Sequence, residues 1–269
     1  DVKFISASEP DYVLSPQECR HSTLYMEKRA VQGEPTVFSE TFEYTSCGEW
    51  HNLRAEDVLP YDTTTALYKE YTAEREKHIV FSPRLRELAA KLTAGETNPY
   101  LKAKRIFRWI NDHFPWASAR EYSTIENIPE YVLDNRHGDC GQVSLLFITL
   151  CRISGIPAHF QSGFMMHPRA WNLHDWAEVY FEGVGWVPVD QSFGIPAFAR
   201  NADEEYFFLG GIDSWRMIVN TDYGMPLVPE KKYPRSETVD FQRGEVEWEG
   251  GNLYFPQWSY HMDIDYLNY

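Results

Sequence analysis

One cysteine, one histidine and one aspartate stand where their types and spacing could support covalent catalysis. Cys140 follows Gly138 and Asp139 at the head of the apolar run "CGQVSLLFITLCRI", which Gly155 and Pro157 close. The density of apolar residues there (Val143, Leu145, Leu146, Phe147, Ile148, Leu150 and Ile153) predicts a buried helix with Cys140 in or near its first turn. Unpaired N–H groups and the helix dipole at such a start favour an anion, and a thiolate is one. A free cysteine is also commonly a small buried apolar residue with no chemistry, so Cys140 alone leaves both readings open.

A nucleophilic thiol needs a base to take its proton and a third group to orient that base. His174 heads "HDWAEVYF", 34 residues after Cys140, and Asp190 ends "GWVPVD", 16 residues further on. If these two stretches form a hairpin about the "EGVG" turn, their far ends meet. His174 then faces Asp190, as an imidazole faces its orienting carboxylate.

The elements that must position these groups read as follows. "SPRLRELAAKL" and "NPYLKAKRIFRWINDHF" each open with a capping Ser or Asn followed by Pro, and carry apolar residues at helical spacing. "ENIPEYVLDNRHG" is a short helical or irregular lead-in to the Cys140 helix, and "TTTALYKEYTAEREKH" favours a helix. Past Gly155 the period changes: "AHFQSGFMM", "HDWAEVYFEG" and "GWVPVDQS" read as three short strands. Upstream, "HSTLYMEKRA" and "PTVFSETFEY" read as strands of a hairpin split by "QGEP". In the tail, "GNLYFPQWSYHMDIDYL" reads as a terminal strand added to the sheet. The fold class is α+β, with the Cys140 helix packed on an antiparallel sheet. The expected organisation is an N-terminal β-strand segment over residues 1–60 (a candidate remnant of a larger domain), a core over 61–215, and a strand and loop extension over 216–269 packed on that core.

The 269 residues are 43 % hydrophobic, enough for a sizeable core. Lys and Arg number 25 against 40 Asp and Glu, a net charge of −15 that argues against nucleic acid or an anionic membrane as the main partner. No apolar run is long enough to span a bilayer. The four cysteines (Cys19, Cys47, Cys140, Cys151) lack the paired spacing of a zinc site, and no metal or cofactor is expected. Cys19 and Cys47 lie beside the N-terminal strands, where strand register would decide whether they pair. The chain starts Asp-Val-Lys without an initiator Met, which reads as an excised or processed fragment and favours an exported, periplasmic or extracellular setting.

Together the blocks Gly-x-Cys, Arg-x-x-Gly-Ile-Pro-Ala, His-x-Trp-x-Glu-Val and Gly-Trp-x-x-x-Asp occur in the order seen in the transglutaminase-like superfamily, which residues 98–192 resemble. The resemblance implies a papain-like arrangement of a bacterial-type member, with Cys140 as nucleophile, His174 as general base and acid, and Asp190 as orienter. It also implies an oxyanion donor from a side chain just after the preceding helix. Trp116 in "HFPWAS" holds about that place, with packing at the helix end as the competing role and Tyr122 and Gln142 as weaker alternatives. Trp176 and Trp186 are expected to pack the hairpin and wall the cleft, Glu178 to support the same face, and Cys151 to lie in the core. His137, His159 and His167 are expected at the surface or in the cleft. The acidic calcium loops of animal transglutaminases are not identifiable.

The expected activity is thiol-dependent acyl transfer on amide bonds through a thioester, foremost that of a cysteine peptidase or amidase on a peptide, protein or glycopeptide. The alternatives are a protein-glutamine transglutaminase or deamidase, a peptide N-glycanase-like deglycosylase, and a non-catalytic binding module that keeps the fold. A CxxC pair of the kind that marks the eukaryotic glycanases is lacking.

Overall fold

The computed structural model describes residues 1–118 and 120–267. In chain order the strands and helices are β1 (Val2–Ala7), β2 (Tyr12–Leu14), β3 (Leu24–Met26), β4 (Glu40–Tyr44), β5 (Glu49–Trp50), α1 (Ala66–Tyr71), α2 (Pro83–Leu92), α3 (Pro99–His113), α4 (Ile128–Asn135) and α5 (Cys140–Ile153). They continue with β6 (Ala158–Met165), β7 (Asn172–Phe181), β8 (Gly185–Val189), α6 (Ala202–Glu205), β9 (Gly211–Ile212), β10 (Arg216–Thr221), β11 (Val246–Trp248) and β12 (Gly251–Leu253). The α+β architecture centres on an antiparallel sheet in the order β10-β6-β7-β8, with α5 packed on one face.

Helix α5 is the centre of the core. Every residue from Gly141 to Arg152 is buried, so the helix has no solvent face, and Gln142, Ser144, Thr149 and Arg152 are enclosed among its apolar residues. It lies among α2, α3 and α4 on one side and β6 and β7 on the other. Leu145, Leu146, Phe147 and Ile148 meet Phe107, Phe160, Val179 and Val187 in one cluster. Truncating such a residue to Ala costs about 2–5 kcal/mol.

The helices start where short polar side chains satisfy their first N–H groups. Ser82 Oγ accepts from Leu85 N at 3.2 Å, Asn98 Oδ1 from Leu101 N at 3.2 Å, and Asn127 Oδ1 from Glu130 N at 3.0 Å. Arg136, in a left-handed conformation at φ 61°, ends α4 and turns the chain towards α5. Asp139 Oδ1 then accepts from Gln142 N at 3.1 Å, fixing Cys140 as the first residue of α5.

Three expectations need correction. The two upstream stretches do not pair with each other: β3 pairs with β2, and β4 with β1. Strand β1, farther away in the chain, takes β4 as its partner, and residues 27–39 form no strand, so no hairpin joins the two. The helix in the 60–80 region is confined to α1, because the chain turns after Thr72 and closes a backbone bridge between Arg75 and Ile79. The tail does not extend the main sheet. β12 pairs with β11 alone, and Pro256 in a 3₁₀ turn at Phe255–Gln257 stops further strand. β10 takes the sheet edge instead, beside β6.

The β10–β6 ladder shifts register between Ile218 and Asn220, opposite Gly163 and Ser162. A Cβ on Gly163 would overlap the Met217 carbonyl oxygen, a backbone atom that cannot turn aside. Gly163→Ala therefore pushes β10 off the sheet. The expected cost is about 2–3 kcal/mol, read as a melting temperature lowered by several degrees in a circular dichroism scan. An unchanged melting temperature contradicts the close approach.

Candidate active site

Cys140 is presented by the N-terminus of α5, where a polar cluster braces the chain. The chain before it is tied to the loop after α3, where Ala117 N donates to Gly138 O at 3.0 Å and Trp116 bridges Gly138. Tyr122 Oη donates to Asp139 Oδ1 at 2.6 Å and stands 3.2 Å from Asp175 Oδ2. Gly141 leaves the room for this cluster, since a Cβ there would meet both Asp175 Oδ2 and Tyr122 Oη at 2.5 Å. The Cys140 thiol donates to Asp175 Oδ2 at 3.5 Å.

That environment reverses the thiolate expectation drawn from the helix start. Burial, followed by the charges of Asp175 and Asp139, pushes the Cys140 thiol well above its ordinary value, and the favourable Asp175 N–H does not offset them. Asp175 is itself pushed up, first by burial and then by Asp240 and Asp139, although its bonds from Cys140 and Tyr122 act the other way.

His174 and Asp190 come together at the ends of β7 and β8. The ladder pairs Ala177 with Val189, so one more step sets Trp176 opposite Asp190, and His174 reaches the carboxylate diagonally rather than facing it. His174 Nε2 lies 2.8 Å from Asp190 Oδ2. Ser192 N and Phe193 N both donate to Asp190 Oδ1 at 3.1 Å, and Arg216 Nη2 lies 3.0 Å from Oδ2. Burial alone would raise the Asp190 carboxyl, but the charge and hydrogen bond of His174, with Arg216, hold it below the usual range. An ionised carboxylate only accepts, so Nε2 carries its proton and Nδ1 is left free to accept another. Trp176 lies stacked beside the imidazole at 6.0 Å and 28°, and Phe193 meets it edge-on at 5.4 Å.

The structure thus joins His174 to Asp190 and Cys140 to Asp175, while no hydrogen bond joins Cys140 to His174 among the described residues. Trp116 adjoins the Cys140 loop through its backbone, and its side chain is 59 % exposed. Trp176 is 1 % exposed and its indole N–H already donates to Gln161 Oε1 at 2.5 Å, so it braces His174 without offering a free donor. The Gln142 amide is buried with neither atom bonded, whereas the Tyr122 hydroxyl is committed to carboxylates. Glu178 accepts from Gln161 Nε2 at 2.8 Å. His167 pairs with Asp213 at 3.1 Å. His159, expected at the surface or in the cleft, is buried against Tyr71 and Trp186, because the face of the sheet away from α5 is itself covered. All four cysteines are free, and Cys151 is in the core.

Several partners were not visible in the local sequence. Arg216 belongs to the edge strand, and only the β10–β6 pairing brings it to Asp190. Gln242, from the C-terminal segment, donates to His174 O at 2.8 Å and to Asp175 Oδ1 at 2.6 Å. Beside it Arg243 pairs with Glu121 at 3.2 Å. Asp175 had one signal, a carboxylate directly after the histidine in the mainly apolar and aromatic stretch "HDWAEVYF". Among the described residues no group of His, Cys, Asp and Glu is arranged to hold a metal ion, and no helix is long and apolar enough to cross a membrane.

The chain is similar to known proteins over the elements that carry this site. The profile of the transglutaminase-like superfamily matches residues 86–191, the span from α2 to the residue after Asp190. The uncharacterized protein YebA of Bacillus subtilis is 26 % identical over 140 residues, which is 45 % of this chain and 19 % of that protein. A protein-glutamine gamma-glutamyltransferase of Pseudomonas aeruginosa is 23 % identical over 125 residues, 42 % of this chain and 19 % of that protein. The chain therefore spans about a fifth of the length of these curated relatives. Among solved structures, a candidate cysteine protease from Cytophaga hutchinsonii has the same fold, with a TM-score of 0.52, 18 % identity, and coverage of 82 % of this chain and 69 % of that one.

The C-terminal segment over the site carries its own titration. Burial, then Asp240, raises Glu237 to about 8, and burial raises Asp240 to about 6 despite Arg243. A carboxyl whose folded value lies above its unfolded one binds more protons in the folded state. Its stabilising contribution is full below the unfolded value of about 4.3 and is lost as pH rises through about 8. Glu237 Oε1 accepts from Thr238 N and Val239 N at 2.7 and 2.8 Å, roles a glutamine oxygen keeps. Melting temperature should therefore fall between about pH 5 and pH 9, and fall less in Glu237→Gln. Equal slopes in the two proteins contradict the assignment.

Proposed function

We propose that this chain, which belongs to the transglutaminase-like superfamily, is a thiol-dependent acyl-transfer enzyme that acts on amide bonds. The observation that carries this reading is the buried His174–Asp190 pair at 2.8 Å, whose free Nδ1 is available to a thiol delivered by α5. In this mechanism the Cys140 S–H proton passes to His174 Nδ1, and the thiolate attacks the amide carbonyl. The tetrahedral intermediate collapses as the imidazolium returns the proton to the leaving nitrogen, giving an amine, or ammonia from a carboxamide, and a thioester on Cys140. Water activated by the same imidazole then releases the acid and restores the thiol.

Asp190 fixes the tautomer and stabilises the imidazolium. Arg216 shares the same carboxylate oxygen and stacks its guanidinium over Phe193 at 4.4 Å, so it holds Asp190 in place and keeps it ionised. Trp116, at the loop tied to Gly138, supplies the candidate oxyanion donor together with the Cys140 backbone N–H. The preferred reaction is hydrolysis, that of a cysteine peptidase or amidase with a peptide or protein substrate. A second reading, acyl transfer from glutamine to an amine, draws on the gamma-glutamyltransferase relative. Both use the same thioester and differ only in whether water or an amine attacks it.

Kinetics of single and double variants on a fluorogenic peptide-amide and glutamine-donor panel test the assignment. Cys140→Ala should abolish turnover in a folded protein, and His174→Ala should approach the same floor. Asp190→Ala should cost about 10²–10⁴ in kcat. Because the residues act as one unit, Cys140→Ala/His174→Ala should be hardly slower than Cys140→Ala. Losses that multiply, or a Cys140→Ala variant that keeps a substantial part of its kcat, would remove these residues from a shared mechanism.

A further inference from the structure

The thiol proton points to Asp175, a residue the acyl-transfer scheme does not use. Consecutive residues of a strand project to opposite faces, so His174 and Asp175 direct their side chains apart. The His174 face holds Trp176, Glu178 and Arg216, whereas the Asp175 face continues into Ala177, Val179 and Phe181 under α5. The Sγ atom at the start of α5 bonds the second set, through Asp175 Oδ2 at 3.5 Å.

We propose that Asp175 is a positioning residue that holds the Cys140 thiol protonated and turned away from His174, so that release of this contact delivers the thiol to the imidazole. The proposal rests on the acyl-transfer reading above and names what controls its first step. The carboxylate is held from both ends. Gln242 Nε2 donates to Oδ1 at 2.6 Å, and the Tyr122 hydroxyl stands 3.2 Å from Oδ2 while its proton goes to the nearer Asp139. Gly141 is the residue whose lack of a side chain permits Asp175 to approach the start of α5.

The groups facing this pair come from every neighbouring element. Tyr122 arrives from the 3₁₀ turn, Asp139 from the cap of α5, and His174 and Asp190 from the ends of β7 and β8. Asp240 and Glu237, with Arg243 beyond them, come from the C-terminal segment. Among the described residues no ion pair holds Asp139, Asp240 or Glu237 as Arg216 holds Asp190, although the charges of Arg243 and Arg235 act on Asp240. Two negative charges on Sγ and Oδ2 repel, so the pair loses one proton more readily than two, and the thiol keeps its own. Turning the thiol about Cα–Cβ brings the S–H towards Nδ1, where the proton passes to the ring and leaves thiolate and imidazolium. Gln242 couples the switch to the C-terminal segment, because its one amide holds both Asp175 Oδ1 and the His174 carbonyl.

Alkylation by iodoacetamide across pH, read by mass spectrometry on the peptide containing Cys140, tests the proposal without a substrate. Asp175→Asn keeps the size and an acceptor oxygen but removes the charge. Its alkylation midpoint should fall by about one pH unit, which is about tenfold in rate at a pH below the midpoint. An unchanged or raised midpoint overturns the proposal. Should Asp175→Asn fail to fold, the thiolate absorbance of the wild type minus that of Cys140→Ala carries the same test. A Cys140 midpoint above the ordinary thiol value of about 8.5 is expected, and a midpoint at or below that value overturns the proposal. Full activity in Cys140→Ala would instead sink the acyl-transfer reading, while the titration would still report the Asp175 contact.

Discussion

A helix that is buried on every side meets water only at its ends, and that constraint organises this molecule. Helix α5 is buried from Gly141 to Arg152, so its first residue, Cys140, is the point where the core opens to chemistry. The elements around it follow from the need to cover it: three capped helices on one side, and the β6–β7–β8 sheet on the other. Because the sheet lies against α5, the starts and ends of its strands fall near the helix N-terminus. His174 and Asp190 are drawn from those ends.

The two aspartates beside the cysteine show how neighbours rather than residue type decide charge. Asp190 is fully buried yet stays ionised, because His174, Arg216 and two backbone N–H groups occupy its oxygens. Asp175, one residue from His174 and equally enclosed, has an amide, a phenol and a thiol as partners and carboxyls as its charged neighbours, and its proton is held well above the usual range. The first environment stabilises the imidazolium that acyl transfer creates. The second resists a further negative charge, including that of a thiolate. The cysteine stands between them, bonded to the second.

Local chemistry made much of this legible in the sequence. Ser82, Asn98 and the proline after each marked two helix starts within a residue, since a cap and its first turn are adjacent in the chain. The alternation in "HDWAEVYF" and "GWVPVD" marked β7 and β8, and their short turn allowed the His174–Asp190 pairing to be expected, with only its diagonal register left to the structure. What the sequence did not reveal depends on distant pairing. The choice of β1 by β4, and of β6 by β10, is a competition between strands far apart in the chain, and local pattern does not weigh it. Arg216 reaches the site by that route, whereas Tyr122 comes from a 3₁₀ turn and Gln242 from the C-terminal segment. The thiol was misjudged for a related reason: the helix N-terminus is a local feature, while the carboxylates that outweigh it arrive from other elements.

The claim that stands or falls first is that Cys140 carries the acyl group. Intact-mass and peptide mass spectrometry on protein quenched in acid during turnover of an activated ester reads this directly. The account predicts one acyl group on the peptide containing Cys140 in the wild type, and none at the same time in His174→Ala. An acyl group on another residue, or turnover that proceeds with no covalent adduct and survives in Cys140→Ala, would contradict it.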